Sequence, residues 1–513
     1  MAGTRNTALW IVWLALTLAA GGSFGALIFV GGPRNFLLIG KTTGAHHQFE
    51  LACETCHTSG FFEDAAKIDK AMNKACLACH EDELKVSNDS HPVKKFRDPR
   101  NADRRQQLDA LFCTTCHMEH VPEITRPVAV TLPMDYCSAC HKAVGEERPS
   151  HAGLAFNTCA AAGCHNFHDN TALYEDFLAK NVDMADIIER PIVRLAAISR
   201  APHPVLAARE NHDPVAALRA YLMDTRRDAP EFETDAVEML ARVLEAGDAV
   251  APAEFLTRDT VAAWAGSGHA LGGVNCAGCH TLEHAKERDT AILAANWIAE
   301  PGIEICRSCH KEEARTFVLG RHGMRLHPEI SEPRQAPKNA LLKIVAAVFR
   351  DEALWPISVA DARLEMKPEA AHLEIGNCNT CHKPHDADIR AAAVDACAGC
   401  HNDPHTRTYF SSPHYQLWQT ELAGGAPGSG VSCADCHMPK LEARGHFFTT
   451  HNQNAYLRPN EKMIRPVCMH CHGLAFAMDA LADPALVENN FNGRPSRHVE
   501  SIDWAVKRAR KTE

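Results

Sequence analysis

Cys113-Thr114-Thr115-Cys116-His117-Met118-Glu119-His120 is the stretch from which the rest of the chain can be read. It sets two thiols three residues apart, an imidazole directly after the second, and another imidazole three residues further on. The same Cys-x-x-Cys-His spacing recurs at Cys53/Cys56/His57, Cys76/Cys79/His80, Cys137/Cys140/His141, Cys276/Cys279/His280 and Cys306/Cys309/His310. It appears again at Cys378/Cys381/His382, Cys397/Cys400/His401, Cys433/Cys436/His437 and Cys468/Cys471/His472, and in a stretched form at Cys159/Cys164/His165. These eleven motifs consume all 22 cysteines. Zinc knuckles and thiol redox sites also use paired cysteines. Neither requires a histidine directly after the second cysteine, and here one follows every time. The spacing is that of covalent haem attachment: each thiol adds to a haem vinyl as a thioether, and the adjacent imidazole takes the proximal iron position. The expected cofactor is heme c in eleven copies. Its proximal ligands would be His57, His80, His117, His141, His165, His280, His310, His382, His401, His437 and His472.

The intervals between motifs predict the fold class. His46 to His168 spans 123 residues for five attachment sites, and His269 to His472 spans 204 for six. Segments that short cannot bury an apolar core of their own, so the porphyrins must form the core of a multihaem cytochrome c. The polypeptide is then mainly α and irregular, with 30 Gly and 28 Pro supplying turns. Five parts are expected: 1–40, an N-terminal transmembrane anchor or signal peptide; 41–170, a five-haem domain; 171–266, a haem-free helical region; 267–480, a six-haem domain; and 481–513, a C-terminal helix. In the haem-free region, apolar residues at helical spacing predict helices over 172–179, 187–198, 214–223 and 235–246, and a second haem-free insert, 311–375, includes a further apolar helix near 341–349. No strand pattern recurs.

A net charge of −11, made more negative by haem propionates, argues against nucleic acid as a partner. The basic run Lys94, Lys95, Arg97, Arg100, Arg104 and Arg105 reads as a propionate-pairing or solvated face. Ala8 to Val30 carries no charge and as a helix would measure roughly 34 Å, enough for a bilayer core of about 30 Å. With Arg5 before it, the N-terminus stays in the cytoplasm and the haem-bearing part lies outside. The expected location is therefore the inner membrane, with the haem domains on the periplasmic side. A cleaved signal peptide with Leu18-Ala19-Ala20 at the cut is the alternative.

Twenty of the 31 histidines lie outside the motifs, almost two for each open iron face. His120, His168 and His385 follow a proximal histidine by three residues; His284 and His405 follow by four. On a helix such a residue shares the face of its own proximal ligand and reaches the next haem instead. His46 or His47, His151, His269 and His372 precede attachment sites. With His91, His322, His414, His446 and His451 these form the distal candidates. Two imidazoles per iron leave no place for substrate and favour a low potential. Met118 and Met438 read as packing residues.

The C-terminal third resembles a known group. Ser412-Pro413-His414-Tyr415 leads through a Gly-rich turn into Gly430-Val431-Ser432-Cys433-Ala434-Asp435-Cys436-His437-Met438-Pro439-Lys440, then His446, His451 and the last motif at Cys468. This is similar to the last two haem sites of the pentahaem cytochrome c nitrite reductases and of the octahaem hydroxylamine oxidoreductase and tetrathionate reductase group. Ser267-Gly268-His269 and Gly320-Arg321-His322 are related modules. A long helix from about 484 to 510 is similar too. The resemblance covers Ser267 to the C-terminus; the five N-terminal sites look like small tetrahaem cytochromes. Counting back from the C-terminus, it places the catalytic haem on His310, with Tyr409 and His414 as catalytic candidates. The nitrite reductases have Lys as proximal ligand there, whereas this chain keeps His310 with Lys311 one residue late. The matching upstream Arg is missing, Arg288 being the nearest.

Two functions follow. One is a membrane-anchored periplasmic electron-transfer protein, exchanging electrons between the quinol pool or a membrane redox partner and periplasmic electron carriers, with homo-oligomerisation left open. The other is a multihaem oxidoreductase acting on a small nitrogen or sulfur compound (nitrite, hydroxylamine, tetrathionate) at one open haem.

Overall fold

The computed structural model describes residues 2–26, 38–50, 52–59, 63–87, 91–126, 129–148, 151–159, 165–169, 173, 175–188, 260, 263–264, 267, 269, 276–281, 295–330, 362, 364–373, 375–385, 389–443, 446–457 and 460–510. The helices expected over 187–198, 214–223, 235–246 and 341–349 lie outside these, apart from Ile187 and Ile188. The chain is mostly short helices and irregular segments. It divides into two compact units: 1–147 with 153–171 and 324–357, and 148–152 with 172–323 and 358–513. The first carries attachment motifs one to five, the second motifs six to eleven.

Helix α1 (Ala2–Ala26) opens the first unit. Its strongly apolar part, 8–20, is about 20 Å long, bounded by Thr4–Thr7 on one side and Gly21, Gly22 and Ser23 on the other. Among the described residues no helix is long and apolar enough to cross a membrane. The expected span continued to Val30, and residues 27–37 lie outside the described set. Helix α2 (Ala65–Val86) starts on Asp64, whose carboxylate accepts the Lys67 N–H at 3.0 Å, and carries the second motif in its middle.

In the second unit α3 (Glu175–Asn181) falls on the first helix expected after the fifth motif. Motif seven ends α4 (Ile303–Cys309), and α5 (Lys311–Phe317) follows at once. Then come α6 (Asp395–Cys400), α7 (Pro404–Tyr409), α8 (Pro413–Leu422) and α9 (Cys433–His437). Asp403, Ser412 and Ser432 cap the last three, with Pro at the first turn of α7 and α8. The Glu421 carboxylate, itself buried, accepts the N–H groups of Gly428 (3.0 Å) and Gly430 (2.7 Å) and closes the Gly-rich turn.

Two expectations are corrected. A small antiparallel hairpin, β1 (Lys440–Ala443) and β2 (His446–Thr449), pairs Lys440 with Thr449 and Ala443 with His446; a four-residue strand is too short to show as alternation. The long C-terminal helix is broken. After α10 (Leu474–Leu481) and α11 (Pro484–Glu488), Asn490 and Phe491 adopt left-handed φ values of 55° and 58°, and Gly493 has φ 139°. Helix α12 (Glu500–Ala509) begins only there and packs on α3.

His498 holds this end together, with Nδ1 3.0 Å from Asp479 on α10 and Nε2 2.9 Å from Asp503 on α12. Hydrogen bonds to the two carboxylates raise its pKa to about 9. Because the folded pKa lies above the unfolded value, the contribution is fully present below about pH 6.5 and is lost as pH rises through about 9. The pair is solvent-exposed, so the expected loss is at most about 1 kcal/mol. Hydrogen exchange of α12 amides, corrected for intrinsic rate, should show less protection at pH 10 than at pH 6. In H498Q that difference should vanish.

Candidate functional site

Each attachment motif other than the fifth, which lies partly outside the described residues, is folded into one helical turn. The histidine N–H donates to the carbonyl of the first cysteine at His57 (2.8 Å), His117 (2.9 Å), His141 (2.9 Å), His310 (2.9 Å), His382 (2.9 Å), His401 (2.9 Å) and His472 (2.8 Å). Motifs two, six and ten lie inside helices. A four-residue closure sets two sulfurs and an imidazole on one face, the arrangement that covalent attachment requires. The second cysteine tightens the same turn in motifs four and eleven. The Cys140 N–H donates to the Cys137 carbonyl at 3.2 Å, and the Cys471 N–H to the Cys468 carbonyl at 3.1 Å. The Cys140 and Cys471 thiols are half-buried and joined in no disulfide, as thioether attachment requires of both. Burial holds the thiols of Cys56, Cys116, Cys276 and Cys381 up at about 11 and Cys468 at about 12.

The second ligand set is read from ring geometry. A metal–imidazole bond of about 2.0 Å on each side, plus about 1.1 Å from each nitrogen to its ring centre, puts two opposed imidazoles about 6.2 Å apart. In the first unit the spacings are His46–His80 6.1 Å, His57–His120 6.5 Å, His91–His141 5.9 Å and His117–His168 6.2 Å. In the second they are His269–His310 6.0 Å, His280–His385 5.9 Å, His322–His401 6.0 Å, His382–His451 6.1 Å, His405–His437 6.0 Å and His414–His472 6.2 Å. Every pair joins one motif histidine to one from outside the motifs. Heme c fits each such gap.

Eight of these imidazoles turn Nδ1 to a main-chain carbonyl: His91 to Phe167 (2.7 Å), His117 to Ala129 (3.0 Å), His120 to Gly40 (2.8 Å), His269 to Pro384 (3.3 Å), His280 to Ile298 (2.7 Å), His405 to Val487 (2.5 Å), His451 to Thr449 (2.9 Å) and His472 to Asp186 (3.0 Å). A carbonyl only accepts, so Nδ1 carries the proton and the Nε2 lone pair is left for a metal. Burial depresses His322 and His437 to about 4, which keeps both neutral. Stacked aromatics fix three ring planes: Trp297 on His280 (4.4 Å), Phe167 on His91 (4.2 Å) and Phe476 on His472 (4.8 Å). The loop after motif three stores strain for the same end. His120 (φ 62°) and Ala129 (φ 59°) are left-handed. A Cβ at Gly40 would overlap the His120 carbonyl. In that loop Arg126 has a buried guanidinium nitrogen without a hydrogen-bond partner, a donor suited to a haem propionate.

Among the described residues, the histidines three or four residues after a motif histidine (His120, His168, His385 and His405) each face a motif histidine other than the one they follow. His120 meets motif one, His168 motif three and His385 motif six, each two sites back, so "the next haem" is corrected for all three; His405 does meet the next, motif ten. Upstream histidines skip a site: His46 meets motif two, and His269 motif seven. Of His46 and His47, the first stands opposite an imidazole and the second turns Nδ1 to the Gly44 carbonyl at 3.1 Å. His284 and Cys164 lie outside the described residues, as do the side chains of Cys159, His372 and His446. His165 and His151 are described, His151 with its N–H on the Arg148 carbonyl. The three catalytic candidates are not gathered around an open position. His310 faces His269 and His414 faces His472. The buried Tyr409 donates its hydroxyl to the Val431 carbonyl at 2.7 Å among Val394, Tyr415 and Trp418. The break after α11 wedges Phe491 beside both His405 (6.5 Å) and His414 (6.1 Å). Sequence reading missed the stacking rings and the carbonyl acceptors, which have no motif.

Residues 45–142 match the family described as Cytochrome c3, and residues 401–481 match Cytochrome c552. A curated relative, "Cytochrome c-552" of Aliarcobacter butzleri (strain RM4018), is 43% identical over 61 residues, 12% of this chain and 11% of its own length. No solved structure matches. Two cytochrome matches in separate parts of a chain whose paired imidazoles stand one haem apart establish a multihaem c-type cytochrome.

Proposed function

We propose that this chain is an eleven-haem electron conduit. The observation that carries the reading is the set of ten imidazole pairs, each at the spacing of bis-histidine ligation. Haem held between two imidazoles supplies one-electron storage and transfer, with little rearrangement and no position for substrate. The polypeptide's part is to close both iron faces and bring neighbouring sites together. The sulfurs of Cys76, Cys378 and Cys433 lie close to those of Cys113, Cys306 and Cys397, so motifs two and three, seven and eight, and nine and ten adjoin. Cys56 lies within electrostatic reach of Cys79, Cys279 of Cys306, and Cys381 of Cys397. Phe491 joins ten to eleven. These contacts make a run of three sites in the first unit and six in the second. The exposed Leu9, Trp10, Ile11, Trp13 and Leu16 of α1 would hold the protein at the inner membrane, with the haems on the periplasmic side, between a quinol pool or membrane donor and soluble periplasmic carriers.

The test is EPR of the oxidised, haem-loaded protein, with intact mass as the haem count. Eleven haem increments and wholly low-spin signals are expected. The match to Cytochrome c552 over 401–481 favours a second reading, reduction or oxidation of a small nitrogen or sulfur oxyanion at one iron. A stoichiometric high-spin signal that shifts with nitrite or hydroxylamine would show an open iron and sink the pure conduit.

A further inference from the structure

We propose that Glu119 is a potential-setting residue that makes the haem between His46 and His80 the lowest-potential site of the first unit; this rests on the bis-histidine reading above. Glu119 lies between His117 and His120, so its backbone is fixed by sites three and one while its side chain reaches site two. Oε1 accepts the His46 Nδ1–H at 2.6 Å. The carboxylate is aimed by Thr43, which is buried: the Thr43 N–H donates to Oε2 at 2.7 Å and its hydroxyl to Oε1 at 3.0 Å. On the opposite imidazole, His80 Nδ1 lies 3.3 Å from Glu83 Oε2, one turn along α2. Site two therefore has a carboxylate behind each of its imidazoles, where eight other axial imidazoles have a neutral carbonyl.

The physical consequence has a definite sign. A carboxylate that takes most of the Nδ1 proton gives the imidazole anionic character and strengthens its donation to the metal. Donation and nearby negative charge both stabilise ferric over ferrous iron, and the half-buried position of Glu119 limits solvent screening. The Glu119 contact is the shorter and less exposed of the two, so it carries the larger share. Site two adjoins sites one and three, so electrons crossing this unit meet a raised step there and rest on its neighbours.

Redox titration of haem-loaded protein, followed optically and by EPR, tests the assignment with E119Q and E83Q. The amide introduced by E119Q can still accept from Nδ1 but has no charge. In E119Q one component, the lowest of the first-unit set, should shift positive by at least tenfold in its reduction equilibrium, about 59 mV for one electron. The haem count and low-spin spectrum should not change. E83Q, altered on an exposed helix face, should move the same component the same way by less. If no component moves in E119Q, or the two variants move different components, the proposal is overturned while bis-histidine ligation stands. Should E119Q fail to load haem, E83Q decides alone: an unmoved lowest component overturns the assignment. Absence of low-spin haem in the unaltered protein would instead defeat the reading beneath it.

Discussion

Replacing His269 with glycine in the haem-loaded protein is expected to convert one haem, that on His310, from low-spin six-coordinate to high-spin five-coordinate, leaving the others unchanged. His269 stands 6.0 Å from His310, the two rings nearly perpendicular at 76°, with Nδ1 on the Pro384 carbonyl. His310 is held independently by its own N–H on the Cys306 carbonyl, and its haem would be tethered through Cys306 and Cys309. The variant should therefore keep its haem and lose only the sixth ligand. A tethered imidazole competes at an effective concentration on the order of millimolar or above. Unaltered protein should thus resist cyanide and added imidazole at low millimolar levels, whereas H269G should bind both, imidazole restoring the low-spin signal. The measurement is EPR with optical titration. If the unaltered protein already shows the high-spin signal and H269G adds nothing, His269 is no ligand and the haem on His310 is the open, reactive one.

That site shows how far the sequence could be read. Each proximal histidine is local information: a five-residue motif closes into one turn whatever surrounds it. A surplus of histidines at telling offsets was legible. The partner of each was not, because pairing is decided where chain segments cross. His91 reaches His141, 50 residues on, and His322 reaches His401 across the insert that carries 331–361. The offset rule sends a following histidine to the next haem, whereas His120, His168 and His385 each stand opposite an earlier motif histidine, since helices entering a stack can point back as readily as forward. Glu119 was visible only as an acid between two histidines. Its role needs Thr43 and His46 brought in from 76 and 73 residues away. The C-terminal break was foreshadowed by Asn489-Asn490 and Gly493, residues that favour left-handed backbone, yet the amphipathic pattern on either side outweighed them in a reading by periodicity. The hairpin at 440–449 is a shorter case of the same kind.

The larger expected effect comes from removing the prosthetic groups. In the first unit, among the described residues, Ala52, Phe96 and Met324 are the buried apolar side chains. Full burial of a large apolar side chain contributes about 1.5–3 kcal/mol. Ordering each residue's backbone costs about 1–2 kcal/mol. Three such side chains cannot offset the ordering of a unit well over a hundred residues long, so its porphyrins must supply the missing apolar surface. The second unit has more of its own, including Leu178, Leu474, Met478, Leu481, Ile502 and Val506, on α3 and on α10 and α12, which both pack on α3. Chain produced where haem attachment is blocked should therefore lose the first unit entirely and keep at most residual helix around α3, α10 and α12. Hydrogen exchange read by mass spectrometry should find residues 45–142 fully exchanged at the earliest time in the haem-free chain and protected in the loaded one. Limited proteolysis should cut the haem-free chain throughout 45–171 under conditions that leave the loaded protein intact. Native-like protection of 45–142 without haem would refute the porphyrin core, because among the described residues of that unit only Ala52, Phe96 and Met324 are buried apolar side chains.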